Sequence, residues 1–236
     1  MKIFIFSILI SLSGFSLEWE SGDKKVNIIE LFTSESCSSC PPAEKWMNNL
    51  KSSPELFKSF VPVEFHVDYW NYLNWKDRFS KPEFTQRQRN YARDLNQNSV
   101  FTPQLLLNSS TNWHCSRKLP PKSSLSAPNL KISFDKKTYT AKIKIDSDSK
   151  SEFTCEAAIL AGDYKTDVKA GENAGKTLRH EFVALQLKST QSKNKKCEIK
   201  FEKKKDLEEP AIAIWIKEKN DFKILQATGA FITNAQ

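Results

Sequence analysis

No second Cys-x-x-Cys and no His-x-x-x-His occurs anywhere in the sequence. A structural zinc site usually assembles four ligands from such spacings, so their absence counts against metal handling at the cysteines. Serine triads, phosphate-binding glycine loops and paired-carboxylate sites are also missing, which leaves hydrolase and nucleotide-binding readings without support. There is no internal repeat and no extended low-complexity tract. A membrane span needs about 20 apolar residues, and the apolar run near the start, over residues 3–12, is much shorter. No cysteine follows that run closely, so a lipid-anchored start is not supported.

What the start does carry is the pattern of a secretory signal. Lys2 precedes the apolar run, and small residues follow at Ser13, Gly14 and Ser16. Residues 1–16 are therefore read as a signal peptide cleaved after Ser16, with the mature chain periplasmic or extracellular and not stably inserted in a membrane. The net charge of +8 collects in lysine runs at residues 193–196 and 203–205. In an exported protein these read as solvated hairpin tips, not as nucleic-acid contacts.

The chemistry concentrates in Cys37-Ser38-Ser39-Cys40-Pro41-Pro42, directly behind a strand-like apolar run at residues 26–32. Two cysteines three positions apart can close a small disulfide ring, and a following helix start can stabilise a thiolate. The two prolines remove backbone donors and place the helix start at Pro41 or Pro42, just beyond Cys40. That placement, with Glu35 nearby, predicts a weakly activated Cys37 thiol.

Ahead of residue 119 the pattern alternates strand and helix. Strands are expected at residues 26–32, 61–67 and 104–107, with a further one at 112–117, and a short helix at 43–50. Ser80-Lys81-Pro82-Glu83 reads as a capping box opening a helix to about residue 96, with Phe84, Tyr91, Ala92 and Leu95 on one face and Arg87, Arg89 and Arg93 pointing elsewhere. Residues 119–129, rich in proline and serine, read as a linker. Beyond it seven strands and no helix are expected, at 130–134, 139–145, 153–160, 178–187, 196–201, 211–216 and 224–232. The pattern predicts an α/β sandwich over residues 24–118, followed by a small all-β, sandwich-like domain over residues 130–236. Residues 61–68 and 95–108 resemble the central strands of thioredoxin with an insertion between them, which implies an α/β thioredoxin-like fold for the first domain.

A thioredoxin-type site also needs a cis-proline opening the strand that lies against the Cys-x-x-Cys. Thr102-Pro103, directly before Gln104-Leu105-Leu106-Leu107, occupies that place. Glu30-Leu31-Phe32-Thr33-Ser34 together with Cys37-Ser38-Ser39-Cys40-Pro41-Pro42-Ala43 resembles the exported, thioredoxin-like domain of unknown function family 1223. The resemblance continues through Phe65-His66-Val67-Asp68-Tyr69-Trp70, Trp75-Lys76-Asp77, Gln86-Arg87-Gln88, Tyr91-Ala92, Thr102-Pro103-Gln104 and Gly171-Glu172-Asn173-Ala174-Gly175. It implies the fold and export, and no settled activity.

His66 and Asp68 end the second strand and fall on one side of it by alternation. Asp68 reads either as a proton relay to the Cys40 sulfur or as a cap on the following loop. His66 reads as a relay, a metal ligand or a hydrogen-bonded core residue. The stretch 171–175 reads either as a turn or as a binding loop facing the cysteines. Among the other cysteines, Cys155 and Cys197 form the natural structural pair and leave Cys115 over; pairings of Cys115 with either remain open.

Three functions compete. The leading one is an exported thiol–disulfide oxidoreductase or redox sensor without cofactor, acting on a protein or a small thiol or disulfide. Its catalytic residues would be Cys37, Cys40, Thr102, Pro103 and Asp68. The second is soft-metal handling, with Cys37, Cys40 and His66 binding copper(I). The third is an envelope binding module in which Cys37–Cys40 is only a structural clip.

Overall fold

Asn27–Thr33 (β2) and Phe60–His66 (β3) are buried at every residue and pair in parallel, from Asn27 opposite Phe60 to Thr33 opposite His66. Strands buried on both faces read as near-continuous apolar runs, and these two do. A parallel pair needs a crossover, here the helix Pro41–Asn49 (α1) with a 3-10 turn at Leu50–Ser52. Gln104–Leu107 (β4) lies antiparallel on the other side of β2, and Thr111–Asn112 (β5) pairs with β4. Ser16–Glu20 (β1) precedes this unit, and Pro82–Asp94 (α2) packs Phe84 and Tyr91 against Phe65 and Phe32.

The computed structural model describes residues 16–109, 111–112, 119–219 and 221–232. The expected signal peptide lies outside them except for Ser16, as do Cys115 and residues 113–117 of the expected fourth strand. The remaining strands are Asn129–Asp135 (β6), Thr140–Asp146 (β7), Phe153–Ala161 (β8), Tyr164–Asp167 (β9), Thr177–His180 (β10), Val183–Gln191 (β11), Lys196–Lys200 (β12), Ala211–Glu218 (β13) and Ile224–Phe231 (β14). They form a four-stranded sheet ordered β1-β6-β7-β12, a β9–β10 hairpin, and an eight-stranded sheet ordered β14-β13-β8-β11-β3-β2-β4-β5.

This arrangement corrects the expected fold class. The chain is not an α/β thioredoxin-like domain followed by a separate all-β domain: it is mostly β, with two α-helices among the described residues and three sheets. Strands from both halves share the large sheet, joined where Val183 of β11 bridges Glu64 of β3 in parallel. The reason lies in β8 and β13, FTCEAAILA and AIAIWIKE, which are apolar at both parities. Phe153, Cys155, Ala157, Ile159, Ile212, Ile214 and Ile216 face the four-stranded sheet, while Ala158, Leu160, Ala213 and Trp215 join the core of β2 and β3. A free-standing sandwich would leave that second set in water, at about 25 cal/mol per Å² of apolar surface. The Cys155–Cys197 disulfide, between β8 and β12, ties the two sheets together.

Smaller expectations also change. The expected strand at 178–187 is two strands, β10 and β11. The capping box is not made: Lys81 is the N-cap of α2 and its side chain makes no cap bond, while the Ser80 hydroxyl donates to the Asp77 carbonyl at 2.8 Å. Arg87, expected only to lie off the apolar face of α2, is tied into the sheet by two carboxylates. Its Nε donates to Glu30 Oε1 and its Nη1 to Glu156 Oε2, both at 2.7 Å.

Candidate functional site

The loop after β2 turns sharply: the Cys37 amide donates to the Ser34 carbonyl at 3.0 Å and the Cys40 amide to the Cys37 carbonyl at 3.2 Å. Cys37 and Cys40 are joined in a disulfide at the start of α1, whose N-cap is Cys40 and whose first two residues are Pro41 and Pro42. Cys37 is 2% and Cys40 0% exposed, while Ser38 and Ser39 between them face solvent.

Thr102–Pro103, a cis peptide, lies beside this loop. The Ser39 hydroxyl donates to the Thr102 carbonyl at 3.4 Å and lies 3.4 Å from the Cys37 sulfur. Trp70 Nε1 donates to Thr102 Oγ1 at 2.7 Å, and its ring stacks on Tyr72, which is 72% exposed. Gln88 of α2 holds the approach to β4, donating to the Phe101 carbonyl and to Gln104 Oε1.

The loop 171–175 comes from the far half of the sequence and faces the cysteines. Asn173 Nδ2 donates to the carbonyls of Glu35 and Cys37, and the Ser38 amide donates to Glu172 Oε2 at 2.9 Å. Gly171, at φ +75°, is needed there: a Cβ would stand 3.3 Å from the Leu73 carbonyl oxygen and from Trp75 Cβ.

Asp68 and His66 part company at the end of β3. Asp68 accepts from Thr85 Oγ1 of α2 at 2.5 Å, and its own amide donates to the same hydroxyl. His66 turns to the opposite face and donates from Nδ1 to Asp77 Oδ2 at 2.7 Å. Among the described residues, the His, Cys, Asp and Glu side chains close enough to share an ion are Glu64, His66 and His180, with no cysteine among them.

Behind the cysteine loop the core is charged. His180 Nε2 lies 3.3 Å from Glu35 Oε1, and its Nδ1 lies 3.8 Å from Glu44 Oε2. Thr33 donates to Glu44 Oε1 at 2.6 Å, and Trp75 Nε1 to Glu35 Oε2 at 2.8 Å. Burial, then the charge of Glu64, pushes the Glu44 carboxyl up to about 7 against the pull of His180, His66 and Thr33. Burial works against a charged His66, but Asp77 and Glu64 outweigh it and hold the imidazole well above its ordinary value. Asp77 stays below its usual value despite burial, because His66 and the amides of Glu35 and Phe79 favour its anion.

The sequence pointed to Cys37, Cys40, Thr102 and Pro103, and these do come together. It did not single out Glu44, Glu64, Asn173 as a clamp, or His180. Glu64 had a signal, a carboxylate inside the largely apolar strand run FVPVEFH.

The family model for a protein of unknown function, DUF1223, matches residues 28–217. The chain belongs to this family. Its fold resembles the crystal structure of protein AGR_C_4864 from Agrobacterium tumefaciens, at 22% identity and a TM-score of 0.65, over 90% of this chain and 97% of that one. It also resembles HBP35 of Porphyromonas gingivalis, at 16% identity and a TM-score of 0.58, over 89% of this chain and 76% of that one. No curated protein matches the chain. For this DUF1223 member the solved structures therefore support the fold alone.

Proposed function

We propose that this protein is exported and performs or senses thiol–disulfide exchange at Cys37–Cys40. One observation carries the reading: a disulfide at the start of a helix, with Ser38 and Ser39 exposed and Thr102–Pro103 alongside. Two disulfides in one chain are compatible with an oxidising compartment.

In the reducing direction the Cys37 thiolate attacks a substrate disulfide, one substrate sulfur leaves as a thiolate, and a mixed disulfide forms. The Cys40 thiolate then attacks the Cys37 sulfur, restoring the ring and releasing the second substrate sulfur. Two electrons pass from the Cys37–Cys40 dithiol to the substrate, which becomes a dithiol by taking up two protons. The backbone of Thr102 and Pro103 would hold an extended segment of a protein substrate, or a small disulfide. The reduced protein should reduce insulin disulfides, and Cys37→Ser should stop it. Wild-type turnover no faster than that of the variant would sink the reading.

A second reading, the structural clip, draws on the burial of both cysteines and on the Asn173 clamp. Structural disulfides have potentials below about −300 mV, so a Cys37–Cys40 bond intact in millimolar glutathione would favour the clip.

A further inference from the structure

Six titratable side chains meet behind the cysteine loop, and all are buried: Glu35, Glu44, Glu64, His66, Asp77 and His180. Four carboxylates face two imidazoles, so even with both rings protonated the fully ionised cluster is left negative. An excess charge in the core costs several kcal/mol unless something neutralises it.

The hydrogen bonds show which atoms are spoken for. Asp77 uses both oxygens: Oδ2 accepts from His66 Nδ1 and from the Glu35 amide, and Oδ1 from the Phe79 amide. Glu44 Oε1 is taken by Thr33, and Glu35 Oε2 by Trp75. Both oxygens of Glu64, His66 Nε2, both nitrogens of His180 and Glu35 Oε1 are buried without a hydrogen-bond partner. Buried polar atoms are nearly always paired, and several unpaired ones converging on one point call for a ligand.

These are the atoms that a metal ion would use. One ligand atom each from Glu64, His66 and His180 lie within 4.8 Å of one another. His66 Nε2 stands 3.5 Å from Glu64 Oε1, and His180 Nε2 stands 3.3 Å from Glu35 Oε1. Ligands about 2.1 Å from a tetrahedral ion lie about 3.4 Å apart. The Asp77–His66 hydrogen bond is the outer carboxylate contact that metal-bound histidines commonly make; it fixes the tautomer and leaves Nε2 free to ligate.

We propose that Glu64, His66 and His180 bind a divalent transition-metal ion of zinc size, with Asp77 orienting His66. The donors are imidazole nitrogen and carboxylate oxygen, which suit zinc and disfavour copper(I). All three are buried, and a tetrahedral ion held by them would keep a fourth position for water or another small ligand. The ion would tie β3 to β10 behind the cysteine loop.

The test uses the full mature chain, refolded with and without zinc chloride, passed over a chelating resin and analysed for metal. One equivalent of zinc is expected. Cobalt(II) in its place should give visible d–d bands without a thiolate-to-cobalt charge-transfer band. Cys37→Ser should keep the metal, His180→Ala should lose it, and Asp77→Asn should weaken affinity about 10–100-fold. Circular dichroism checks that each variant is folded, and Asp77→Asn decides if His180→Ala does not fold. Folded wild type holding no more zinc than a chelator-treated blank, or metal lost with Cys37→Ser but kept in folded His180→Ala or at unchanged affinity in Asp77→Asn, overturns the proposal.

Discussion

The side-chain amide of Asn173 donates to the backbone carbonyl of Cys37 at 2.9 Å, and to that of Glu35 at 3.0 Å. One residue of the second half of the chain thus satisfies two buried acceptors of the cysteine loop. Asn173 is itself 0% exposed, so water cannot replace it without rearrangement. Asn173→Ala should cost about 1–3 kcal/mol of stability for the unsatisfied groups. It should also speed reduction of Cys37–Cys40 by dithiothreitol, because the loop loses its clamp. Urea unfolding and thiol-release kinetics measure the two effects, and an unchanged rate with unchanged stability would remove the clamp from the account.

The Cys155–Cys197 bond closes a loop with a sequence separation of 42 and joins the eight-stranded sheet to the four-stranded one. Loop-closure entropy for that length is worth about 4 kcal/mol, and strain or residual structure usually lowers the measured value. The Cys155→Ala/Cys197→Ala double variant should therefore lose about 2–4 kcal/mol while keeping Cys37–Cys40. Denaturant midpoints at equal m-value check this; a loss below about 0.5 kcal/mol would mean that the sheets hold together without the staple.

How much of this was legible in the sequence depended on the range of the interaction. The strand β2, the helix start at Pro41 and the strand opened by Pro103 carry local signals, an apolar run and prolines that restrict the backbone, and they form where expected. The strands β6 and β7 alternate cleanly and were equally readable. What local pattern could not carry was the neighbour of β3. Only a single parallel bridge, Val183 to Glu64, joins the two halves there, and nothing near either residue encodes it. The charged cluster was hidden for the same reason. His180 sits in an exposed–buried alternation that resembles any edge hairpin, and its partners Glu35 and Glu44 are brought to it by the tertiary fold.

Glu156 accepts from Arg87 Nη1 and from Trp215 Nε1 at 2.7 Å, and from Lys217 Nζ at 2.8 Å. Burial alone would raise its pKa, but the charges of Arg87 and Lys217 and their hydrogen bonds bring it down to about 2 from 4.5. A carboxylate with a depressed folded pKa stabilises the fold above its unfolded value, and that contribution is lost as pH falls through the folded one. The loss should run between about pH 4.5 and pH 2 and be on the order of 3 kcal/mol. Glu30, whose pKa burial raises despite Arg87, works in the opposite sense, so the comparison must be with Glu156→Gln. Urea unfolding across that pH range should show a flatter acid limb in the variant; equal slopes would show that the pair does not report on stability.

The start of α1 bears on the reactivity of Cys37. Pro41 and Pro42 have no amide hydrogens, and the next two amides, of Ala43 and Glu44, both donate to the Cys40 carbonyl. The helix therefore offers no free N–H groups to a Cys37 thiolate, and most of the usual helix-start stabilisation is missing. A carboxylate also stands close, Glu172 on the Ser38 amide, whereas the Glu35 side chain turns away to Trp75 and His180. Negative charge near a thiol favours its protonated form. In Cys40→Ala, which frees the sulfur, the Cys37 thiol should titrate well above about 5 and toward the free value of about 8.5. Thiolate absorbance in the ultraviolet, or alkylation rate against pH, measures it. A value below about 5 would mean that some other group stabilises the anion, and would point to a strongly oxidising site in place of a weakly activated one.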